Sequence, residues 1–272
     1  MIDSIDRYAS MFEQLDAKNE GAFVPFVMVG DPDIQTSVNI IKALVEGGAD
    51  GLELGFPYSD PIADGPTIQK ASIRALSNKI KTDDCFEIIR QVRETYADIP
   101  FGLLLYSNLI LKRSIEKFYQ DAAKAGVDSI LIADVPLREA DRFIAIAEQT
   151  GIKQILIAPP NASDETFAQI GKKSQGYTYL LGRAGVTGAE TAVTIPASEL
   201  IDKLTQYKVA PPLLGFGIST PAQVEDAIQS GAAGAISGSA TVNIIAENLS
   251  QPEVMLEKLK HFVKEMKAAT NK

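Results

Sequence analysis

The stretch GAFVPFVMVGDPD, residues 21–33, separates two α/β architectures that the rest of the chain could form. It contains an apolar run, Phe23–Val29, rich in valine and phenylalanine, which is typical of a buried parallel strand. An open doubly wound sheet would follow its first strand with a glycine-rich GxGxxG turn, whereas this run ends in MVGDPD. The stretch therefore favours a closed barrel over an open nucleotide-binding sheet.

Seven further apolar runs follow, and amphipathic segments with helical periodicity lie between them. The runs predict strands at Phe23–Val29, Gly51–Leu54, Phe101–Leu105, Ser129–Ala133, Gln154–Ala158, Tyr177–Leu181, Pro212–Phe216 and Gly234–Ser237. The segments predict helices at Ile34–Glu46, Thr82–Thr95, Ser114–Ala125, Leu137–Thr150, Asp164–Lys172, Pro196–Gln206, Pro221–Ser230 and Pro252–Lys267, several with a capping side chain such as Asp33, Ser163 or Thr220. This alternation predicts an α/β fold, a single (β/α)8 barrel domain of the TIM-barrel type over residues 1–272. An extra N-terminal helix, residues 2–17, would close the bottom of the barrel.

Composition and charge limit the kinds of partner. The chain has 272 residues, 46% of them hydrophobic, and a net charge of −9, which argues against a nucleic-acid partner because phosphate backbones require a basic face. A small phosphate ligand remains possible, since backbone N–H groups can supply a local positive field. The acidic N-terminus does not resemble a signal sequence, and no apolar run approaches the ~20 residues that span a bilayer. We therefore expect a cytoplasmic protein without a membrane partner.

The second strand places a carboxylate inside the barrel. Side chains alternate along a strand, so Leu52 and Leu54 should face the helices while Glu53 faces the interior. An interior carboxylate is costly unless it is paired, protonated or functional. Gly51 and Gly55 on either side should leave room for a ligand. The alternative is a glutamate hydrogen-bonded to backbone at the strand end.

Two aspartates occupy the loop that follows, PYSDPIADGPTIQ, residues 57–69. Its proline and glycine content suits a stiff loop at the barrel mouth, where active sites of such barrels lie. Asp60 and Asp64 are therefore candidate site residues. Both also fit turn chemistry, and Asp64 could cap a helix that begins near Pro66.

Three later loops also have features of a binding site. The segment GRAGVTGAETAVTIP, residues 182–196, is long enough for a lid, although it could be a disordered surface loop. Strand seven ends in GFGIST and strand eight in ISGSATVNII, the second leading into a helix at Ser239. Glycine turns and a helix N-terminus at these two strands predict a phosphate site, with ordinary tight turns as the alternative.

The side chains that several common catalytic mechanisms require are missing from the sequence. His261 is the sole histidine and falls in the last helix, where we expect it at the surface, and Cys85 is the sole cysteine. A zinc cluster or a Cys/His nucleophile pair is therefore not expected. No lysine ends a strand, so Schiff-base chemistry is not expected either. The remaining polar set at the mouth suits general acid–base catalysis.

The strings GAFVPFVMVGDPD, LELGFPYSDPIADGPTIQ, ADVP, APPN, GYTYLLGRAGVTG, GFGIST and GAISGSA resemble the α subunit of tryptophan synthase. The resemblance runs from about Tyr8 to Met266. It implies a lyase that cleaves indole-3-glycerol phosphate to indole and glyceraldehyde 3-phosphate by a retro-aldol reaction in tryptophan biosynthesis. Glu53 matches the family's acid–base glutamate, which protonates indole C3 and helps remove the glycerol hydroxyl proton. Asp64 matches the carboxylate that binds the indole N–H.

The resemblance implies further site residues and a partner. Positions that match the substrate pocket and phosphate cradle are Phe26, Leu104, Tyr106, Ile157, Tyr179, Thr187, Gly188, Phe216, Gly217, Gly238 and Ser239. Pro57, Asp60 and Arg183 match lid and partner positions, and Thr187 matches the residue that orders the lid against the Asp60 region. The implied partner is a PLP-dependent β subunit in an α2β2 heterotetramer, with no cofactor or metal in this chain. Gly182 departs from the family's serine, which bears on lid closure, and Tyr58 departs from its phenylalanine, which bears on the subunit contact.

Two other functions compete with this one. A related sugar-phosphate epimerase or isomerase would use strand-end histidines, lysines or a metal, which are missing. A non-catalytic subunit that only activates a partner would have no need of an interior carboxylate.

Overall fold

The computed structural model describes residues 6–181 and 197–272, which form a closed barrel of eight parallel strands. The strands are β1 Ala22–Met28, β2 Leu52–Gly55, β3 Phe101–Leu105, β4 Ser129–Ile132, β5 Lys153–Ala158, β6 Thr178–Leu181, β7 Pro212–Gly215 and β8 Gly234–Ser237. Each strand pairs with the next along the chain, and β8 closes the barrel by pairing with β1. The predicted barrel and the positions of its eight strands are confirmed.

Helices surround the barrel. They are α1 Arg7–Lys18, α2 Ile34–Glu46, α3 Pro66–Ser77, α4 Thr82–Thr95, α5 Ser107–Leu111, α6 Ile115–Ala125, α7 Asp141–Thr150, α8 Asp164–Lys173, α9 Ala197–Gln206, α10 Pro221–Gln229, α11 Ser239–Glu247 and α12 Pro252–Ala268. The helix predicted over Leu137–Thr150 is divided, because a 3-10 turn at Leu137–Glu139 precedes α7. Within the described ranges, no helix is both long enough and apolar enough to cross a membrane.

The helix ends explain several boundaries. The side chain of Asp33 accepts a hydrogen bond from the Thr36 N–H at 2.9 Å, and Ser163 and Thr220 cap α8 and α10 in the same way. These bonds satisfy N–H groups that the first turn of a helix leaves without a partner. The predicted caps are therefore confirmed.

Alternation along each strand divides the apolar residues into two layers. Leu52 and Leu54 are buried in the cluster between strands and helices, as predicted. A second cluster, which includes Leu131, Ile155 and Ile236, fills the barrel interior. Below the mouth this cluster packs the interior, and a cavity opens at the carboxyl ends of the strands, where a ligand can enter.

Helix α1 closes the bottom of the barrel, as predicted. Tyr8 is 4% exposed, and its hydroxyl lies 2.7 Å from the Ser129 Oγ. Its ring is 5.6 Å from that of Tyr177 on the interior side of the sheet. Asp128 fixes this end through ion pairs with Arg7 and Arg93 at 2.8 and 2.7 Å. The closed end leaves the mouth as the place for a site.

Candidate active site

A cavity of about 610 Å³ opens at the carboxyl ends of the strands. Ten of the predicted site residues line it: Phe26, Glu53, Asp64, Leu104, Ile157, Tyr179, Phe216, Gly217, Gly238 and Ser239. Seven of the eight strands or the loops that follow them contribute to this set, so the fold assembles it from distant parts of the sequence. The cavity combines an apolar wall with two carboxyl groups.

Glu53 is the most deeply buried acid of the cavity. It is 1% exposed, and its Oε1 accepts a hydrogen bond from the Tyr177 hydroxyl at 2.8 Å. Burial raises the pKa of Glu53 to about 7, although the Tyr177 bond acts in the opposite direction. Among the described residues no backbone N–H donates to this carboxyl, so the strand-end alternative is not supported. A carboxyl with this pKa can both donate and accept a proton at neutral pH.

The glycines beside Glu53 do not leave room for a ligand, and that prediction is wrong. A Cβ atom on Gly55 would lie 2.5 Å from Cζ of Phe26, so the ring of this neighbour occupies the space. A Cβ atom on Gly51 would lie 3.3 Å from Cγ of Pro100. The glycines therefore serve close packing of strand β2 against its neighbours.

Asp64 lies at the cavity wall two residues before helix α3. It does not cap this helix, because the cap residue is Gly65 and makes no side-chain cap bond. Burial raises the pKa of Asp64 to about 6, and a hydrogen bond from Tyr106 opposes that rise. The turn alternative holds for the backbone, since the Asp64 N–H donates to the Pro61 carbonyl at 3.1 Å, while the side chain of Asp64 lies at the cavity wall.

Tyr106, which the resemblance assigns to the substrate pocket, lies next to the loop that carries Asp64. Its side chain is 3% exposed and is not part of the cavity wall within the described residues. Its hydroxyl oxygen accepts a hydrogen bond from the backbone N–H of Ala63 at 3.0 Å. Tyr106 thus stands behind Ala63 and Asp64, which are the residues that face the cavity.

The loops after β7 and β8 form the other end of the cavity. Phe216 and Gly217 both have left-handed backbone, with φ of 77° and 89°. This conformation is strained for phenylalanine, and such strain often marks a functional site. Helix α11 begins at Ser239, and no acceptor for the N–H of Gly217 or Gly238 occurs within the described ranges. These groups can receive an anion, as expected of a helix N-terminus.

Four residues of the site were not predicted. Tyr177 is the partner of Glu53, and Ser219, Gln223 and Ala240 line the cavity beside the loops that follow β7 and β8. Tyr177 could have been found, because it stands two residues before Tyr179 and side chains two apart share a strand face. The other three follow strands seven and eight, but nothing in their residue types distinguishes them from ordinary helix starts.

Several predicted residues lie outside the cavity or outside the described structure. Gly182, Arg183, Thr187 and Gly188 fall among residues 182–196, which are not described. Pro57 is buried and Asp60 is exposed, with the Ser59 hydroxyl donating to the Asp60 carboxylate. His261 lies at the surface on α12, as expected. Within residues 6–181 and 197–272, no group of acidic, histidine or cysteine side chains is arranged to hold a metal ion.

Comparison with known proteins identifies the family. The family model described as tryptophan synthase alpha chain matches residues 12–271. The chain is 58% identical over 268 residues to the tryptophan synthase alpha chain of Vibrio parahaemolyticus serotype O3:K6, which covers 98% of this chain and 100% of the relative. It is 57% identical over 265 residues to that of Francisella tularensis subsp. tularensis strain FSC 198, at 97% and 98% coverage.

Solved structures agree with these matches. Tryptophan synthase subunit alpha of Legionella pneumophila str. Paris superposes with a TM-score of 0.89 at 31% identity, covering 98% of this chain and 99% of that one. A chain of the tryptophan synthase α2β2 complex from the hyperthermophile Pyrococcus furiosus superposes with a TM-score of 0.80 at 35% identity, covering 91% and 98%. From these matches and the cavity together, the chain belongs to the tryptophan synthase alpha chain family.

Proposed function

We propose that Glu53 is the acid–base group and Asp64 the charge-stabilising group of the α reaction of tryptophan synthase, the cleavage of indole-3-glycerol phosphate. The observation that carries this proposal is that one cavity holds two carboxyl groups with pKa values of about 7 and about 6. Glu53 is therefore largely protonated at a pH at which Asp64 is largely ionised. This is the combination that a proton donor and a charge-stabilising group require.

The two carboxyl groups account for the proton movements of the reaction. Protonated Glu53 gives its proton to C3 of the indole ring, and positive charge develops on the ring nitrogen. Ionised Asp64 accepts the hydrogen bond of the ring N–H and stabilises that charge in an apolar surrounding. Ionised Glu53 then takes the proton of the hydroxyl next to C3 while the carbon–carbon bond breaks. Indole and glyceraldehyde 3-phosphate result, and Glu53 ends protonated as it began.

The apolar wall binds one end of the substrate, and the phosphate cradle, formed by the loops with Gly217 and Ser239, binds the other. Phe26, Leu104 and Ile157 supply apolar surface for the indole ring. The loops that carry Gly217 and Ser239 supply N–H groups for the phosphate. With its two ends bound in this way, the substrate would have its scissile bond beside Glu53, between the ring and the phosphate.

A direct assay tests the function. Purified chain should release indole and glyceraldehyde 3-phosphate in equal amounts from indole-3-glycerol phosphate. An epimerase or isomerase would convert sugar phosphates instead, and an activating subunit would convert neither. Absence of indole release from the pure chain, with and without a β subunit, would contradict the proposal.

A negative charge in the cradle should weaken substrate binding. In Ser239→Glu the new carboxylate repels the phosphate at the start of α11, and we expect KM for indole-3-glycerol phosphate to rise at least about tenfold. Ser163→Glu is the matched control, because Ser163 is exposed at the start of α8, outside the cavity wall. Steady-state kinetics and inhibition by inorganic phosphate measure both variants. An unchanged KM in Ser239→Glu would place the phosphate elsewhere.

The partner is a β subunit that carries PLP, in an α2β2 assembly, and this chain needs no cofactor of its own. The structural relative from Pyrococcus furiosus belongs to an α2β2 complex, and mutual activation is described for that complex. The loop with Pro57 and Asp60 rises beside the cavity and exposes Ile62 to 75%, so a docked subunit can reach it. Docking there can order the loop that holds Asp64.

Removal of Asp60 should weaken activation by the β subunit. A partner raises activity only through its preference for the competent conformation, and the gain is limited to roughly a hundredfold if that conformation is about 1% populated alone. Asp60→Ala should lose much of this gain while the slow rate of the isolated chain stays near wild type. Asp98→Ala, exposed and just before β3, is the control. The measurement is the rate of indole release with and without saturating β subunit. If the wild-type rate does not rise with the partner, the subunits are not coupled. If isolated Asp60→Ala releases no indole, Asp60 is a catalytic residue.

A further inference from the structure

The loop that carries Asp64 has few fixed points. It runs from Pro57 to Gly65, between strand β2 and helix α3, without regular secondary structure. Near Asp64 its bonds are local, from the Asp64 N–H to the Pro61 carbonyl at 3.1 Å and from Gln69 Nε2 to the Asp64 carbonyl at 2.7 Å. The bond from the Ala63 N–H to the Tyr106 hydroxyl joins this part of the loop to strand β3. Tyr106 thus anchors the part of the loop next to Asp64, while Asn108 anchors the start of the loop through the Tyr58 hydroxyl.

The Tyr106 hydroxyl has a defined hydrogen-bond direction. Its oxygen accepts from Ala63, so its own proton is available to a neighbour. That neighbour is the Asp64 carboxyl, which the phenol hydrogen-bonds and whose pKa it lowers against the larger effect of burial. A phenol that donates to a carboxylate favours the ionised form. One side chain therefore holds both the loop and the charge of Asp64.

The position of Tyr106 is itself fixed. The centre of its ring lies 5.2 Å from that of Tyr58, and Tyr106 directly precedes helix α5. The next residue, Ser107, donates from its N–H and its Oγ to the Asp134 carboxylate, both at 2.8 Å. The start of α5 is therefore tied to the end of β4, and Tyr106 cannot move independently of the barrel.

We propose that Tyr106 is a positioning residue, which holds the loop at Ala63 and orients the ionised Asp64 carboxylate, and which does not contact the substrate. The inference rests on the proposed role of Asp64. The titratable groups that surround this carboxyl are Tyr106, Tyr179 and, in the same cavity, Glu53, while Asp134 faces the Tyr106 phenol. Tyr106 is the phenol among them that bonds Asp64.

Tyr106→Phe tests the inference, because it keeps the ring and removes the hydroxyl. We expect kcat to fall roughly tenfold, the scale of a hydrogen bond to a charged group, while KM stays unchanged. The acid limb of the pH–rate profile should move upward, since Asp64 loses the bond that favours its ionised form. Tyr58→Phe is the matched control, because it removes a neighbouring hydroxyl that accepts from Asn108 at 2.6 Å. It should leave kcat and the pH profile unchanged.

A double-mutant cycle separates positioning from other roles. In an Asp64→Asn background, Tyr106→Phe should cost much less than in wild type, because it acts through the missing carboxylate. An equal loss in both backgrounds, or a raised KM at unchanged kcat, would overturn the inference. A ¹³C NMR titration of the Asp64 carboxyl gives a readout that does not depend on activity, and an unchanged pKa in Tyr106→Phe would also overturn it. A fully active Asp64→Asn chain would instead remove the proposed role of Asp64.

Discussion

Glu53→Gln should fold and should lose cleavage of indole-3-glycerol phosphate by about 10²–10⁴-fold or more. Proton transfer by a positioned group contributes a factor of this size, and Glu53 serves two steps of the proposed reaction. Glutamine has nearly the same shape but can neither give up nor take up the proton. Single-turnover measurement of indole release, with and without a β subunit, gives the loss. Activity within about tenfold of wild type, near 1.4 kcal/mol, would remove Glu53 from the chemistry.

The stability of the same variant shows whether the loss is chemical. The pKa of Glu53 rises from 4.5 to about 7 on folding, so between these values the folded chain keeps a proton that the unfolded chain has released. The stability of the wild type therefore falls as pH rises through this window, by about 3 kcal/mol if the whole shift counts. Glutamine has no such dependence, so Glu53→Gln should gain stability relative to wild type between pH 5 and pH 8. Urea unfolding at both pH values measures this difference in stability. If the variant is unfolded at pH 8, its loss of activity reflects loss of structure and does not test the role of Glu53 in proton transfer.

The sequence could predict features that depend on local periodicity. Alternation along β2 places Glu53 inside and Leu52 outside, and both positions are confirmed. The repeated change from strand to helix period predicts the barrel, because each unit repeats the same pattern of apolar residues. The phosphate site stays a prediction, which rests on glycines and a helix start after strands seven and eight.

Features that depend on packing between distant segments could not be predicted in this way. Tyr177 is 124 residues from Glu53 along the chain, and only the closed barrel brings the two together. The side of Gly55 was expected to be empty, but the ring of Phe26 from the adjacent strand fills it. Helix α5 has five residues, too few for a helical period to be visible. Tyr106 follows strand β3 at the mouth, and its hydroxyl turns behind the wall toward Ala63 because that N–H needs an acceptor.

The two carboxyl groups together define a range of pH for the reaction. The competent form has Glu53 protonated and Asp64 ionised, so the rate should fall below a pH of about 6 and above a pH of about 7. The lower limb belongs to Asp64 in this assignment and the upper limb to Glu53. A variant that removes one group should therefore remove one limb and leave the other.

Asp64→Asn should lower kcat by roughly 10²–10³-fold, the scale for removal of one preorganised electrostatic group. The amide still reaches the indole N–H but carries no charge to stabilise the positive ring that forms when C3 is protonated. We expect the acid limb near pH 6 to disappear while the limb near pH 7 remains, because Glu53 is intact. Asp98→Asn, exposed and just before β3, is the control and should keep both limbs. Steady-state rates from pH 5 to pH 9 check both expectations. A variant that keeps the acid limb would assign that limb to another group, and a variant that only raises KM would make Asp64 a binding residue rather than a stabiliser of the transition state.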